Sequence, residues 1–74
     1  MDVTDLFKMN LKHLRQSKGL TQATLGNLSG YSTQTIAKLE AGAGSITIEK
    51  VGRLAKGLQV PPWRLLWHKH HQQP

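Results

Sequence analysis

The stretch QATLGNLSGYSTQTIAKLEAG, residues 22–42, decides the fold. It reads as two short helices around a three-residue turn. Thr21, just before it, is an N-cap residue, whose side-chain oxygen accepts from a backbone N–H of the first helical turn. The helix expected to follow covers residues 22–29, with Ala23, Leu25 and Leu28 as its apolar positions. Ser29-Gly30-Tyr31 is the turn, and Gly30 supplies the positive φ that a Cβ disfavours. Ser32 caps again, and a helix over 33–41 follows, with Ile36 and Leu39 facing inward and Gly42 ending it. Helices joined so tightly cross closely, and Gly26 is the small residue that lets them touch. Leu25, Ile36 and Leu39 pin the pair to what packs behind it.

Working outward, residues 4–18 carry Phe7, Leu11 and Leu14 at i, i+4 and i+7, one apolar helix face. Gly19 stops that helix and lets Leu20 fold back on Leu14. After the pair, Ala41-Gly42-Ala43-Gly44-Ser45 is a loop of small residues. Residues 45–48 alternate polar and apolar, but no partner strand exists for them elsewhere in the chain. Thr47 instead caps a helix over 48–58, whose face is Val51, Leu54, Ala55 and Leu58. Pro61-Pro62 breaks it, and proline at a first helical position suits a last short helix over 62–67. The expectation is an all-α chain of five helices. One domain covers residues 1–67, its central pair lies at 22–41, and a polar, frayed tail runs over 68–74.

The chain has 74 residues, which is room for one small domain with a thin core. It has no cysteine, so disulfides and thiolate zinc sites are excluded. Ten Lys and Arg against four Asp and Glu give a formal charge of +6, which points to a polyanionic partner, nucleic acid or an anionic surface. No apolar run approaches the roughly 20 residues of a membrane span. Residues 1–10 contain Asp2 and Asp5 and do not read as a signal peptide. The expected location is the cytoplasm.

Two short helices with a glycine-containing three-residue turn form a helix-turn-helix unit. With Ile36 and Leu39 turned inward, the outer face of the third helix is Thr33, Gln34, Thr35, Ala37 and Lys38. Short polar side chains near a helix N-terminus enter the major groove of double-stranded DNA and meet base edges. Gln34 suits adenine, Thr33 or Thr35 a phosphate or a thymine methyl, and Lys38 a phosphate or a guanine. Gln22 opens the second helix beside exposed backbone N–H groups, a favourable place for a phosphate. The bland alternative for each residue is an exposed polar position that only meets solvent.

The segments LKHLRQSKGLTQ, LGNLSGYSTQTIAKLEAG and TIEKVGRLAKGLQV, within Leu11 to Leu66, resemble the Cro/phage-repressor (XRE-type) helix-turn-helix family. The resemblance implies a five-helix, lambda-repressor-like DNA-binding domain, with the third helix as recognition helix and a homodimer on a palindromic operator. It implies that Gln22, Thr33, Gln34 and Lys38 face DNA. It also implies that Arg15 and Glu40 form a partly buried ion pair between the first and third helices. Three departures stand out. The loop after the third helix has no basic residue, so contact there falls to backbone N–H groups or Ser45. Gly57 and Gln59 replace the usual Ala and Gly, so the fourth helix is expected to fray early. Thr24 replaces a frequent Glu, which removes a capping box.

His68, His70 and His71 invite a metal reading, but no Cys or carboxylate joins them and a tail fixes no geometry. No metal or cofactor is expected. The acids are scattered and the core offers little pocket, so no catalytic set is expected either. Trp63 and Trp67, at i and i+4, serve either the core or a dimer contact, with Trp63 expected deeper than Trp67. Leu65 and Leu66 cannot both face inward, which adds Leu66 to the candidate dimer contact. The DNA-facing set is therefore Thr21, Gln22, Ser32, Thr33, Gln34, Thr35, Lys38 and Ser45. The competing function is an antitoxin-type or adaptor module that binds a protein, with DNA secondary.

Overall fold

Asp2 opens the first helix, α1 (Val3–Ser17), by accepting a hydrogen bond from the Asp5 backbone N–H at 2.9 Å. The computed structural model describes residues 2–68. Three more α-helices follow, α2 (Gln22–Ser29), α3 (Thr33–Glu40) and α4 (Ile48–Leu58), and then a 3-10 turn over Pro62–Leu65. No strand occurs among the described residues.

The caps expected from the sequence form. Thr21 Oγ1 accepts from Thr24 N–H at 3.0 Å, Ser32 Oγ from Thr35 N–H at 3.1 Å, and Thr47 Oγ1 from Lys50 N–H at 3.1 Å. Each bond satisfies one backbone donor that a helix start leaves unpaired. At the far end of α1, Leu20 N–H reaches back to the Arg15 carbonyl at 3.1 Å and Gly19 N–H to Gln16 at 3.0 Å, a Schellman closure.

The last element departs from expectation. Residues 62–67 form no α-helix; the segment makes one 3-10 turn and stops. The Asn10 amide explains this, because its Nδ2 donates to the Leu65 and Trp67 carbonyls at 3.1 and 2.9 Å. Those carbonyls are captured by α1 instead of by another helical turn.

The early fraying expected of α4 is not found either. The helix runs to Leu58 and closes with Val60 N–H on the Ala55 carbonyl at 3.0 Å. Gln59 takes the left-handed φ of 61° there, although it is not glycine. Gly57 serves a contact and not a break, since a Cβ at that position would lie 2.5 Å from Ser29 Oγ, where α4 presses on α2.

The core is one cluster. Phe7, Leu11 and Leu14 of α1, Ile36 and Leu39 of α3, and Val51, Leu54, Ala55 and Leu58 of α4 are all buried. Leu65 joins them from the 3-10 turn. From α2 only Leu25 enters the apolar core, while Ala23 and Leu28 are exposed. The buried stripe of α2 is Leu25, Gly26 and Ser29, at helical spacing, so only one of the helix's three apolar positions lies on it.

Candidate nucleic-acid interface

α2 and α3 meet where Gly26 stands. Its carbonyl accepts from Tyr31 N–H at 2.8 Å, and a Cβ on it would lie 2.4 Å from the Tyr31 carbonyl oxygen. The oxygen belongs to the backbone and a Cβ is held rigidly by it, so no flexible side chain can move aside. The closeness of the two helices therefore depends on this glycine.

Behind the pair sits a polar seam. Arg15 Nε donates to Glu40 Oε2 at 2.6 Å and Arg15 Nη2 to Glu40 Oε1 at 3.0 Å, a two-pronged pair. The two side chains are only 11% and 5% exposed. Arg15 Nη1 also donates to the Leu20 carbonyl at 2.8 Å, and Gln22 Nε2 to Glu40 Oε1 at 3.2 Å. One carboxylate thus ties α1, the start of α2 and the end of α3 together. The hydrogen bond to Glu40 raises the Arg15 pKa above its ordinary value; burial opposes the rise and the charge of Glu40 adds to it. A cation whose pKa is raised on folding contributes its full stability below the unfolded value. That stability is lost only as pH climbs through the folded value, here far above neutrality.

In front of the pair lies the outer face of α3. Thr33, Gln34 and Lys38 are exposed there, and no side-chain hydrogen bond or ion pair engages them among the described residues. Thr35 differs from them. It is half-buried, and its hydroxyl pairs with Ser32 Oγ at 3.0 Å. Thr21 is likewise occupied, accepting from Thr24 N–H and donating to Thr24 Oγ1 at 2.9 Å. Gln22 uses one amide hydrogen on Glu40 and keeps the other. On these two helices the structure thus splits the candidate residues into three side chains free among the described residues, Thr33, Gln34 and Lys38, and a set at the helix starts, Thr21, Gln22, Ser32 and Thr35.

Ser45 is exposed, and its carbonyl accepts from Lys50 Nζ at 2.7 Å. The loop has no basic residue of its own, but α4 lends it one. Sequence reading missed this lysine, as it missed Arg53, whose Nε donates to the Ser29 carbonyl at 3.1 Å. A cation at the third position of a helix, as Lys50 is, or at the sixth, as Arg53 is, gives no sign in the sequence of which loop it will reach.

The C-terminal aromatics reverse their expected order. Trp63 is 55% exposed, whereas Trp67 is half-buried with its indole N–H enclosed and unpaired among the described residues. The cause is the 3-10 turn: Leu65 takes the core position and Asn10 draws the Trp67 backbone onto α1. The two rings meet edge to face, with centroids 6.1 Å apart. Val3, Ile48, Val51, Pro62, Trp63 and Leu66 line an apolar groove of about 400 Å³ on this side. His70 and His71 lie outside the described residues. Among those described, no group of His, Cys, Asp and Glu is placed to hold a metal, and no helix is long and apolar enough to cross a membrane.

A tight helix pair, a buried seam behind it and an unengaged polar helix face in front define a helix-turn-helix DNA-binding transcriptional regulator. The chain belongs to the XRE-type helix-turn-helix family, whose family model matches residues 11–62. It is 38% identical over 60 residues to an uncharacterized HTH-type transcriptional regulator, y4dJ, of Sinorhizobium fredii, across 81% of this chain and 78% of that one. The restriction-modification controller protein C.AhdI from Aeromonas hydrophila is similar at 33% identity and a TM-score of 0.78, over 81% of this chain and 91% of that chain. The hypothetical transcription factor NHTF from Neisseria shares the fold at a TM-score of 0.90 and 21% identity, over 96% of this chain and 82% of that chain.

Proposed function

We propose that this regulator recognises a palindromic operator as a homodimer in the cytoplasm, in the manner of a phage-type repressor, a Cro-like protein or a restriction-modification controller. The observation that carries the reading is the face of α3, where Thr33, Gln34 and Lys38 are exposed with no partner within the described residues. Gln34 reads a base, with adenine the natural match for its amide, and Thr33 contacts a phosphate or a thymine methyl. Lys38 contacts a phosphate or a guanine. Thr21, Ser32 and Thr35 build the helix starts that point backbone N–H groups at the DNA backbone, and Gln22 offers its remaining amide hydrogen there. Ser45, in the loop steadied by Lys50, supplies a further backbone contact.

The second copy docks on the apolar groove. Trp63 and Leu66 are its anchors, and Trp67 holds Trp63 from behind. Exposed Ile48 and Val3 continue the same surface, which supports this choice of face.

The test is selection from random duplex DNA, followed by titration of the winner at several salt concentrations. The expected result is an enriched palindrome with half-sites about one helical turn apart and a steep fall of affinity with salt. Weak binding without sequence preference would favour the alternative instead, an antitoxin-type or adaptor module that uses the apolar groove for a protein partner.

A further inference from the structure

The turn between α2 and α3 is held by one side chain from outside the pair. Arg53 of α4 donates from Nε to the Ser29 carbonyl at 3.1 Å and from Nη2 to the Gly30 carbonyl at 3.4 Å. Its guanidinium carbon lies 4.7 Å from the centre of the Tyr31 ring. All three residues of the turn are thus touched by a single guanidinium. Its ion pair with Glu49, at 3.7 Å, is loose and solvent-exposed, so the turn and not Glu49 is its principal partner.

Each contact answers a need. The last carbonyls of a helix have no partner within it, and the negative end of its dipole favours a cation. α2 has no basic residue in its own last turn, so Arg53 supplies that cation from the neighbouring helix. Gly30, with φ of 81°, serves twice: it takes the left-handed backbone, and it leaves room for the arginine, because a Cβ there would lie 2.1 Å from Nη2. Tyr31 stands next to Ser32, the cap of α3, so stacking a planar cation on its ring fixes the residue from which the recognition helix departs.

We infer that Arg53 is a positioning residue for DNA recognition: it sets the direction in which α3 leaves the turn, and so the register of Gln34 and Thr33 against the bases, without touching DNA itself. The inference rests on the proposed reading of DNA by α3. It assigns to α4, which contributes nothing to the base-facing surface, a share in sequence discrimination.

The experiment compares wild type with Arg53→Ala, Arg53→Lys and Tyr31→Leu, at a temperature where melting curves show all four folded. Affinity is measured for the selected operator and for single-base variants, each at several salt concentrations. Arg53→Ala is expected to lower the ratio of affinities between operator and mismatched sites about tenfold, with the slope of affinity against salt unchanged. Arg53→Lys keeps the charge but loses the fork and the stacking surface, so it should lose discrimination too. Tyr31→Leu should lose part of it. A uniform loss on all sites, with the salt slope smaller by about one and rescued by Lys, would mean a direct phosphate contact and overturn the proposal. Unchanged discrimination would overturn it as well. A DNA-free arm keeps the two readings apart: in Arg53→Ala the backbone amide resonances of Tyr31 to Gln34 should shift, even if wild type proves to select no operator. Unmoved resonances there would sink the positioning role by themselves.

Discussion

α3 has two sides with opposite habits. On the inner side, Glu40 accepts three hydrogen bonds, two from Arg15 and one from Gln22, and Ile36 and Leu39 are buried. On the outer side, Thr33, Gln34 and Lys38 are exposed and make no such contact among the described residues. An eight-residue helix does not hold its shape in water unaided. The inner side therefore has to hold the helix in place, which leaves the outer polar groups available for a partner. The contrast predicts a clean division. Changes on the inner side should move stability and drag DNA binding with it, and changes on the outer side should move DNA binding alone.

The largest effect is expected from Glu40→Ala. It leaves Arg15 charged and enclosed, with Gln22 also without its acceptor. Breaking one partner of a buried pair costs about 3–5 kcal/mol, enough in a domain this small to lower the melting temperature by more than about 10 °C. Urea denaturation measures it. A loss under about 1 kcal/mol would make the pair no better than a surface ion pair and would erase the contrast.

Gly26→Ala comes next. Alanine adds about 1 kcal/mol of helix propensity, but its Cβ meets the Tyr31 carbonyl oxygen at 2.4 Å. Overpacking of this kind costs about 1–3 kcal/mol, so the net change should be a loss, with α3 levered away from α2. A more stable protein that binds DNA normally would show that the two helices need no such closeness.

That glycine was readable from the sequence, and so were the three caps Thr21, Ser32 and Thr47. All of them act on neighbours within a few residues, where spacing determines geometry. The Arg15–Glu40 pair spans 25 positions and came only through the family resemblance. The contacts of Arg53 with Ser29, and of Asn10 with Leu65 and Trp67, had no such guide. They join residues 24, 55 and 57 positions apart, and their partners are backbone carbonyls, which every residue has. The reversed tryptophans follow from the same gap. Helical spacing placed Trp63 and Trp67 on one face, but Asn10 ended the helix before that spacing could apply. α2 shows a different limit: in a two-turn helix three apolar residues, Ala23, Leu25 and Leu28, do not by themselves define the inward face, and Leu28 faces solvent while Ser29 is enclosed.

On the outer side, Gln34→Ala should leave the melting temperature where it is, since an exposed side chain away from caps and core shifts stability by no more than about 0.5 kcal/mol. Repeating the DNA selection should then show one position of each half-site relaxed, with about 1–3 kcal/mol of discrimination lost there. An unchanged selected site would remove Gln34 from the reading surface.

Lys38→Ala is the gentlest test and the most specific. Lys38 lies about one helical turn beyond Gln34 on the exposed face, in the last turn of α3. If it meets a phosphate, its loss releases one fewer counterion on binding, so the slope of log affinity against log salt should shrink by about one. All sequences should weaken alike, because a phosphate carries no base identity. If it meets a guanine instead, the weakening concentrates on sites that carry that base, and one position of the selected operator loses its preference. Either result leaves the melting temperature unmoved and keeps Lys38 on the outer face. A marked fall in melting temperature would instead show that Lys38 supports the fold, and the division between the two sides of α3 would fail at its C-terminal end.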